Sequence, residues 1–156
     1  MSIALRAWNT ASKLPLGDRL FSIGMSVHVP YFGSIRPRVL ELGPGRCRVR
    51  FADRWRVHNH LGTVHAIAQC NAAEIAMGMA VDASVPPTHR WIPIGMTVEY
   101  RAKARGTLTA TAEFAPPSWP QETTDHTVDV EVEDERGTIT SFAQITVRVE
   151  PRPARG

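Results

Sequence analysis

One long helical segment, which begins near Val64 and runs to about Asp82, constrains the fold of this chain more than any other part of the sequence. Its apolar residues recur at steps of three and four, which predicts an amphipathic helix with one wide apolar stripe. Many of them are alanines, whose small side chains let a sheet approach closely. A helix of about five turns cannot cover itself, so the rest of the chain has to enclose it.

Strand-like segments flank this helix on both sides. Before it, the turn at Gly43, Pro44 and Gly45 joins two strands, and the second alternates arginine with apolar residues over 46–51. After it, four further strands are predicted within 92–149. This order predicts an α+β fold in which a curved antiparallel sheet of about six strands wraps one central helix.

The first 27 residues read as one or two short helices, broken at Leu14–Gly17 by proline and glycine. Their second part is expected to pack against the core through Leu20, Phe21, Ile23, Gly24 and Val27. We expect a single domain over 1–150 and a flexible tail over 151–156.

Composition and charge exclude several classes of protein. The chain has 156 residues, 18 basic and 15 acidic, with a pI near 9.3. It has no apolar run of the ~18 residues that a membrane span needs, and charges interrupt the apolar core that a signal peptide would need over Met1 to Ser26. We therefore expect a cytoplasmic protein with no membrane span and no membrane partner. No nucleic-acid-binding module is visible. Cys47 and Cys70 are expected to be buried free thiols, and no histidines stand at metal-ligand spacing.

The segment from Asn59 to Glu74 carries the polar residues best suited to chemistry. Asn59, Gly62 and His65 are spaced by threes, and Glu74 follows nine residues after the histidine. Nine residues of helix amount to about half a turn more than whole turns and rise ~13 Å. His65 and Glu74 therefore cannot meet in one pocket of one chain, and joint action would require a dimer.

These residues resemble the signature of the hotdog-fold thioesterases, and most closely the phenylacetyl-CoA thioesterase branch with its tetrameric relatives. That signature reads Asn-x-x-Gly-x-x-His-Gly-Gly, with an acidic residue nine positions after the histidine. The chain departs from it at Ala66 and Ile67, which stand in place of the two glycines, and at Glu74, where aspartate is commoner. Pro93 lies near the position at which the family often has serine or threonine.

The resemblance implies hydrolysis of an acyl-CoA thioester at a dimer interface, with no cofactor beyond the coenzyme A of the substrate. Glu74 of the partner subunit would be the general base or nucleophile, and the amide of Ala66 would polarise the carbonyl. Asn59 would orient the water or the carbonyl, Gly62 completes the motif, and His65 would position the thioester or the helix start. A homodimer or homotetramer is implied.

Four cationic residues are candidates for the phosphates of coenzyme A: Arg90, Arg101, Lys103 and Arg105. Arg101, Lys103 and Arg105 are expected to share the outward face of one strand, and surface solubility explains them equally well. Two alternatives remain for the protein as a whole. One is a non-catalytic acyl or lipid binder on the same scaffold. The other is a hydratase or dehydratase of the same fold, which would need an aspartate shortly before a histidine in one loop, and no such loop is visible in the sequence.

Overall fold

The computed structural model describes residues 1–119 and 121–153, and the predicted order of elements is confirmed. Two short helices and a 3-10 turn come first, two strands precede the long helix, and four strands follow it. None of the helices in the described residues is long and apolar enough to cross a membrane. The helices are α1 (Ile3–Ala11), α2 (Gly17–His28) and α3 (Ala66–Ser84), and the strands are β1 (Arg38–Gly43), β2 (Arg46–Phe51), β3 (His89–Tyr100), β4 (Leu108–Glu113), β5 (Thr124–Glu133) and β6 (Ile139–Pro151).

All six strands form one antiparallel sheet in the order β1-β2-β4-β5-β6-β3. Helix α3 contacts every strand, chiefly β2 and β4 and least of all β3. Its small residues make close packing possible: Ala72, Ala76 and Ala80 are fully buried, as are Val49 of β2 and Ala110 of β4. The expected α+β fold, with one helix enclosed by a six-stranded sheet, is confirmed.

Strand β3 is an edge strand that pairs only with β6, and a β-bulge interrupts it between Pro93 and Gly95. Ile92 is paired with the exposed Arg148, whereas Met96 is paired with the buried Ile145. The residues of β3 therefore do not alternate uniformly between the two faces of the sheet, because the extra residue of the bulge moves side chains to the opposite face.

Helix α2 packs by a different face from the one expected. Phe21 and Met25 lie against the core, whereas Leu16, Leu20, Ile23 and Val27 are between 61% and 76% exposed. At about 100° per residue, these four side chains fall within a sector of roughly 60° on the side opposite Met25. We call these four residues the α2 apolar stripe. The expected burial of Leu20, Ile23, Gly24 and Val27 is wrong, since apolar residues occupy both sides of this helix.

The other expectations about the core and the termini concern Cys47, Cys70 and the tail. Both cysteines are buried free thiols, as predicted, and burial raises the pKa of Cys47. Strand β6 continues to Pro151, and the amide of Arg152 donates to the carbonyl of Thr88. The sheet thus reaches past residue 150, and residues 154–156 of the expected tail lie outside the described part of the chain.

Candidate functional site

The loop that connects β2 to α3, residues 52–65, is held in place by hydrogen bonds. The amide of His65 donates to the carbonyl of Val57 at 2.7 Å, and the amide of Val64 donates to the carbonyl of Ala104 at 2.9 Å. The carboxylate of Asp53 accepts the amide of Gly106 at 2.9 Å. These bonds attach the loop to the β3–β4 connection, so the start of α3 has a fixed position relative to the end of β3.

Asn59 and Gly62 give this loop its shape. The Asn59 Oδ1 atom accepts the amides of Leu61 at 2.9 Å and Thr63 at 3.2 Å, while Nδ2 donates to Thr63 Oγ1 at 2.9 Å. Gly62 has φ +67°, in the left-handed region that glycine adopts without strain. The Asn59 side chain is therefore engaged mainly with its own loop, and its contribution to a site is to position the residues that follow.

His65 caps α3. Its Nδ1 atom accepts a hydrogen bond from the amide of Ile67 at 3.0 Å, which leaves Nε2 as the nitrogen that carries the hydrogen in the neutral ring. The ring is exposed. The cap thus satisfies one amide of the helix and holds the ring in one tautomer, with an N–H available to a ligand.

The first turn of α3 has one amide left over. The amide of Ile67 is taken by the His65 side chain, and that of Ala68 donates to the His65 carbonyl at 3.0 Å. The amide of Ala66 has no acceptor within residues 1–119 and 121–153. A free N–H at the positive end of a helix of 19 residues is suited to a developing oxyanion.

Removal of the cap gives a stability prediction. His65→Ala deprives the Ile67 amide of its acceptor, so we expect the free energy of unfolding to fall by about 1 kcal/mol. His65→Asn, which restores a capping oxygen, should recover most of that loss. Urea unfolding monitored by circular dichroism measures both variants. Equal stability of wild type and His65→Ala would show that the cap contributes nothing.

Glu74 lies half-buried on the face of α3 that is turned toward β3. One turn before it, Cys70 Sγ lies 3.1 Å from the hydroxyl of Tyr100, and one turn after it, a Cβ atom at Gly78 would lie 3.2 Å from the ring of Trp91. Both ring residues belong to β3. The Glu74 carboxylate makes no hydrogen bond or ion pair with any described residue. A carboxylate without a partner, on a helix that is otherwise largely buried, is available for chemistry.

The four cationic candidates do not lie together. β3 ends at Tyr100, so Lys103 and Arg105 belong to the connection to β4, and the expected shared strand face is wrong. Both are exposed and flank Ala104, which is bonded to the loop before α3. Neither forms an ion pair with a described residue.

The other two cations are already paired. Arg90, at the opposite end of β3, lies 2.7 Å from Glu150. Arg101 lies 2.8 Å from Glu99, and its guanidinium lies over the ring of Phe142 at 4.6 Å. Of the four candidates, Lys103 and Arg105 are therefore the two that are both unpaired and close to the start of α3.

Sequence reasoning missed two aromatic residues near the site. Trp55 is 84% exposed and lines a hollow of about 750 Å³ with Ser34, Arg56, His58 and Asn59. A signal existed, because a tryptophan between two arginines is an unusual solvent-facing residue.

Tyr100 is the second of these residues, and its contact joins β3 to α3. The hydrogen bond with Cys70, followed by burial, raises the pKa of Tyr100 to about 12, so its hydroxyl stays protonated at neutral pH. No sequence signal links the two, because 30 residues separate them.

In the described part of the chain, no group of three His, Cys, Asp or Glu side chains comes together as a metal site.

Comparisons with known proteins agree with this architecture. Residues 17–149 match a family model described as a domain of unknown function, DUF4442. A structural-genomics protein is 40% identical over 97% of this chain and all of its own, with a TM-score of 0.86. A search of curated proteins finds no match.

More distant solved structures show the fold. A protein of unknown function from Pseudomonas aeruginosa, described as a probable thioesterase, is 21% identical over 89% of this chain and 97% of its own, with a TM-score of 0.74. A mutant of a thioesterase enzyme from Staphylococcus aureus subsp. aureus Mu50 is 18% identical over 78% of this chain and 99% of its own, with a TM-score of 0.69. The predicted hotdog fold is confirmed by these matches.

Proposed function

Since the chain belongs to the DUF4442 family and shares the hotdog fold of thioesterases, we propose that it hydrolyses an acyl-CoA thioester at a site formed between two subunits. The observation that carries this proposal is a pair of unsatisfied groups on α3. The helix opens with the free amide of Ala66 and carries the unpartnered carboxylate of Glu74 on the face beside β3. A thioesterase needs one group of each kind.

The chemistry follows from these two groups. Glu74 acts as a general base that takes a proton from water, and the hydroxide formed attacks the carbonyl carbon of the thioester. In a direct route, the Glu74 carboxylate itself attacks that carbon. The carbonyl oxygen gains negative charge and accepts a hydrogen bond from the Ala66 amide. The C–S bond then breaks, and the thiolate of coenzyme A takes its proton from protonated Glu74 in the first route or from water in the direct route, which leaves the free acid or the acyl-enzyme. In the direct route, water hydrolyses the acyl-enzyme anhydride to release the same acid.

The two groups come from different subunits in this proposal. Within one chain α3 is a continuous helix, so nine residues separate His65 from Glu74 by ~13 Å along its axis. The free edge of β3 exposes backbone groups together with Ile92, Ile94 and Met96, which is a surface that another strand can cover. In the proposed dimer, two β3 edges pair, and the α3 faces that carry Glu74 would then lie side by side and form two such sites.

Lys103 and Arg105 supply a test of the coenzyme A part of this proposal. The double variant Lys103→Ala/Arg105→Ala should raise KM for an acyl-CoA roughly fivefold to tenfold, because two exposed charge contacts of up to ~1 kcal/mol each are lost. kcat should change little. The same acyl group on a thioester of N-acetylcysteamine, which lacks phosphates, should show no change.

The matched control for that measurement is Arg136→Ala, in the exposed turn between β5 and β6. It removes a cation of similar exposure that is not part of the β3–β4 connection, and its KM should equal that of wild type. An equal rise in KM for both thioesters would contradict the phosphate role.

The experiment that tests the activity itself is a panel of acyl-CoA esters with a thiol-trapping dye. Release of coenzyme A thiol with saturable kinetics supports the proposal. Binding of acyl-CoA, measured by calorimetry, without thiol release would favour the alternative of a non-catalytic acyl binder. That alternative is supported by Ile67, an exposed bulky residue at a position where the resembling family usually has glycine.

A further inference from the structure

The positive charge of this protein is concentrated in its N-terminal part. Residues 1–38 contain five Lys or Arg and one Asp, a net charge of +4, whereas the remaining 118 residues contain 13 basic and 14 acidic residues, a net charge of −1. The single acidic residue, Asp18, is bound to Arg38. Lys13, Arg19 and Arg36 are exposed. This part of the surface is therefore suited to an anionic partner.

The same part of the chain exposes an unusual amount of apolar surface. The α2 apolar stripe points away from the core along most of the helix. Three further apolar residues of the N-terminal part are exposed, before α1, at its first position and in the turn before α2: Met1, Ile3 and Leu14. Ile23 and Val27 also line a groove of about 640 Å³, and Arg19, Arg36 and Arg38 line the same groove. Apolar side chains and cations thus share one surface. We call the α2 apolar stripe together with Lys13, Arg19 and Arg36 the N-terminal surface.

This surface is separate from the proposed dimer contact. α2 packs against α1, β1 and the 3-10 turn Phe32–Ile35. β1 and β3 are the two opposite edges of the sheet. A dimer formed through β3 would therefore leave the N-terminal surface uncovered, and the exposure of the α2 apolar stripe needs another explanation.

We propose that the N-terminal surface binds anionic lipid bilayers, with α2 lying in the plane of the headgroups. The α2 apolar stripe enters the acyl boundary, and Lys13, Arg19 and Arg36 contact anionic headgroups. A helix of 12 residues is ~18 Å long, so it lies on a bilayer and does not cross it. This inference does not rest on the proposed hydrolysis.

Charge favours a bilayer over a second copy of the chain at this surface. Two copies that met through the α2 apolar stripe would bring two sets of unneutralised cations together, and like charges oppose such a contact. An anionic bilayer buries the α2 apolar stripe and neutralises the cations at the same time. A bilayer partner would differ from the sequence-based expectation of no membrane partner.

The test is co-flotation of the purified protein with vesicles of phosphatidylcholine, alone or mixed with phosphatidylglycerol. We expect binding only to the anionic vesicles, and its loss at roughly 1 M salt, where the Debye length is about 3 Å. Leu20→Ser/Ile23→Ser and Arg19→Glu/Arg36→Glu should each lower the bound fraction at least fivefold. Arg136→Glu, a charge reversal in the β5–β6 turn, should bind like wild type.

Light scattering and thermal unfolding of the same variants complete the test. All the substituted residues are exposed, so we expect unchanged mass and unchanged unfolding temperature. A wild-type protein that does not float with anionic vesicles would overturn the proposal. A Leu20→Ser/Ile23→Ser variant of halved mass would overturn it as well, because the α2 apolar stripe would then be a contact between copies.

Discussion

Glu74→Gln should lower kcat for thioester hydrolysis by roughly 10²–10⁴, the range that a positioned general base contributes. Glutamine has nearly the shape of glutamate but cannot accept a proton or attack a carbonyl at neutral pH. Glu74 makes no bond with a described residue, so the fold should be unaffected. The rate is measured by thiol release in stopped-flow or steady-state assays, and circular dichroism checks that the variant is folded.

A control for Glu74→Gln is Asp82→Asn, which neutralises another half-buried acid two turns further along α3. It should retain the wild-type rate. Unchanged turnover in Glu74→Gln would contradict the assignment of this carboxylate.

Mixed dimers test which subunit supplies the carboxylate. We co-express Glu74→Gln with a variant that is inactive because its helix start is altered. If the base acts on a thioester held by the other subunit, each mixed dimer has one intact site, formed by the helix start of the first variant and Glu74 of the second. Activity should then recover above that of either variant alone. No recovery would place both groups of a site in the same subunit and would contradict the proposed dimer arrangement.

Ala66→Pro should lower kcat by roughly 10²–10³, the effect of removing one oxyanion donor. Proline lacks the N–H that we assign to the oxyanion, yet it is well tolerated at the first position of a helix. The residue before it is already compatible, because His65 has φ −64° and ψ 142°, which is the extended backbone that a following proline requires. The substitution therefore removes one hydrogen-bond donor with little change elsewhere.

Ala66→Gly is the matched control, since it keeps the amide and also restores the residue usual in the resembling family. Its kcat should stay within a few-fold of wild type. Thermal unfolding should show that Ala66→Pro is folded. A folded Ala66→Pro variant with the wild-type rate would show that this amide does not bind the oxyanion.

The sequence alone predicted the central helix, the hairpin at Gly43–Gly45, the order of the elements and the segment that forms the site. These features are local. A helix repeats every 3.6 residues and a strand every two, and a proline or glycine turn acts where it stands, so each can be read within a short window. The spacing of His65 and Glu74 also followed directly, because helix geometry fixes their separation.

The site was harder to predict in detail, because it depends on contacts between segments. The amide of Ala66 is free because it opens the helix and the His65 side chain caps the amide of Ile67 instead, a choice of side-chain conformation that the sequence does not show. The meeting of Cys70 with Tyr100 depends on how β3 lies across α3, which no spacing reveals.

The sequence by itself determined that α3 would be a long, small-residue helix enclosed by strands, since that pattern has no other way to bury its apolar stripe. The tertiary structure alone decided which side of α2 would pack and where β3 would change face. Both decisions have the same physical reason. α2 is apolar on two sides and β3 has apolar residues at successive positions around its bulge, so local periodicity fits either arrangement, and only the packing of neighbouring elements selects one.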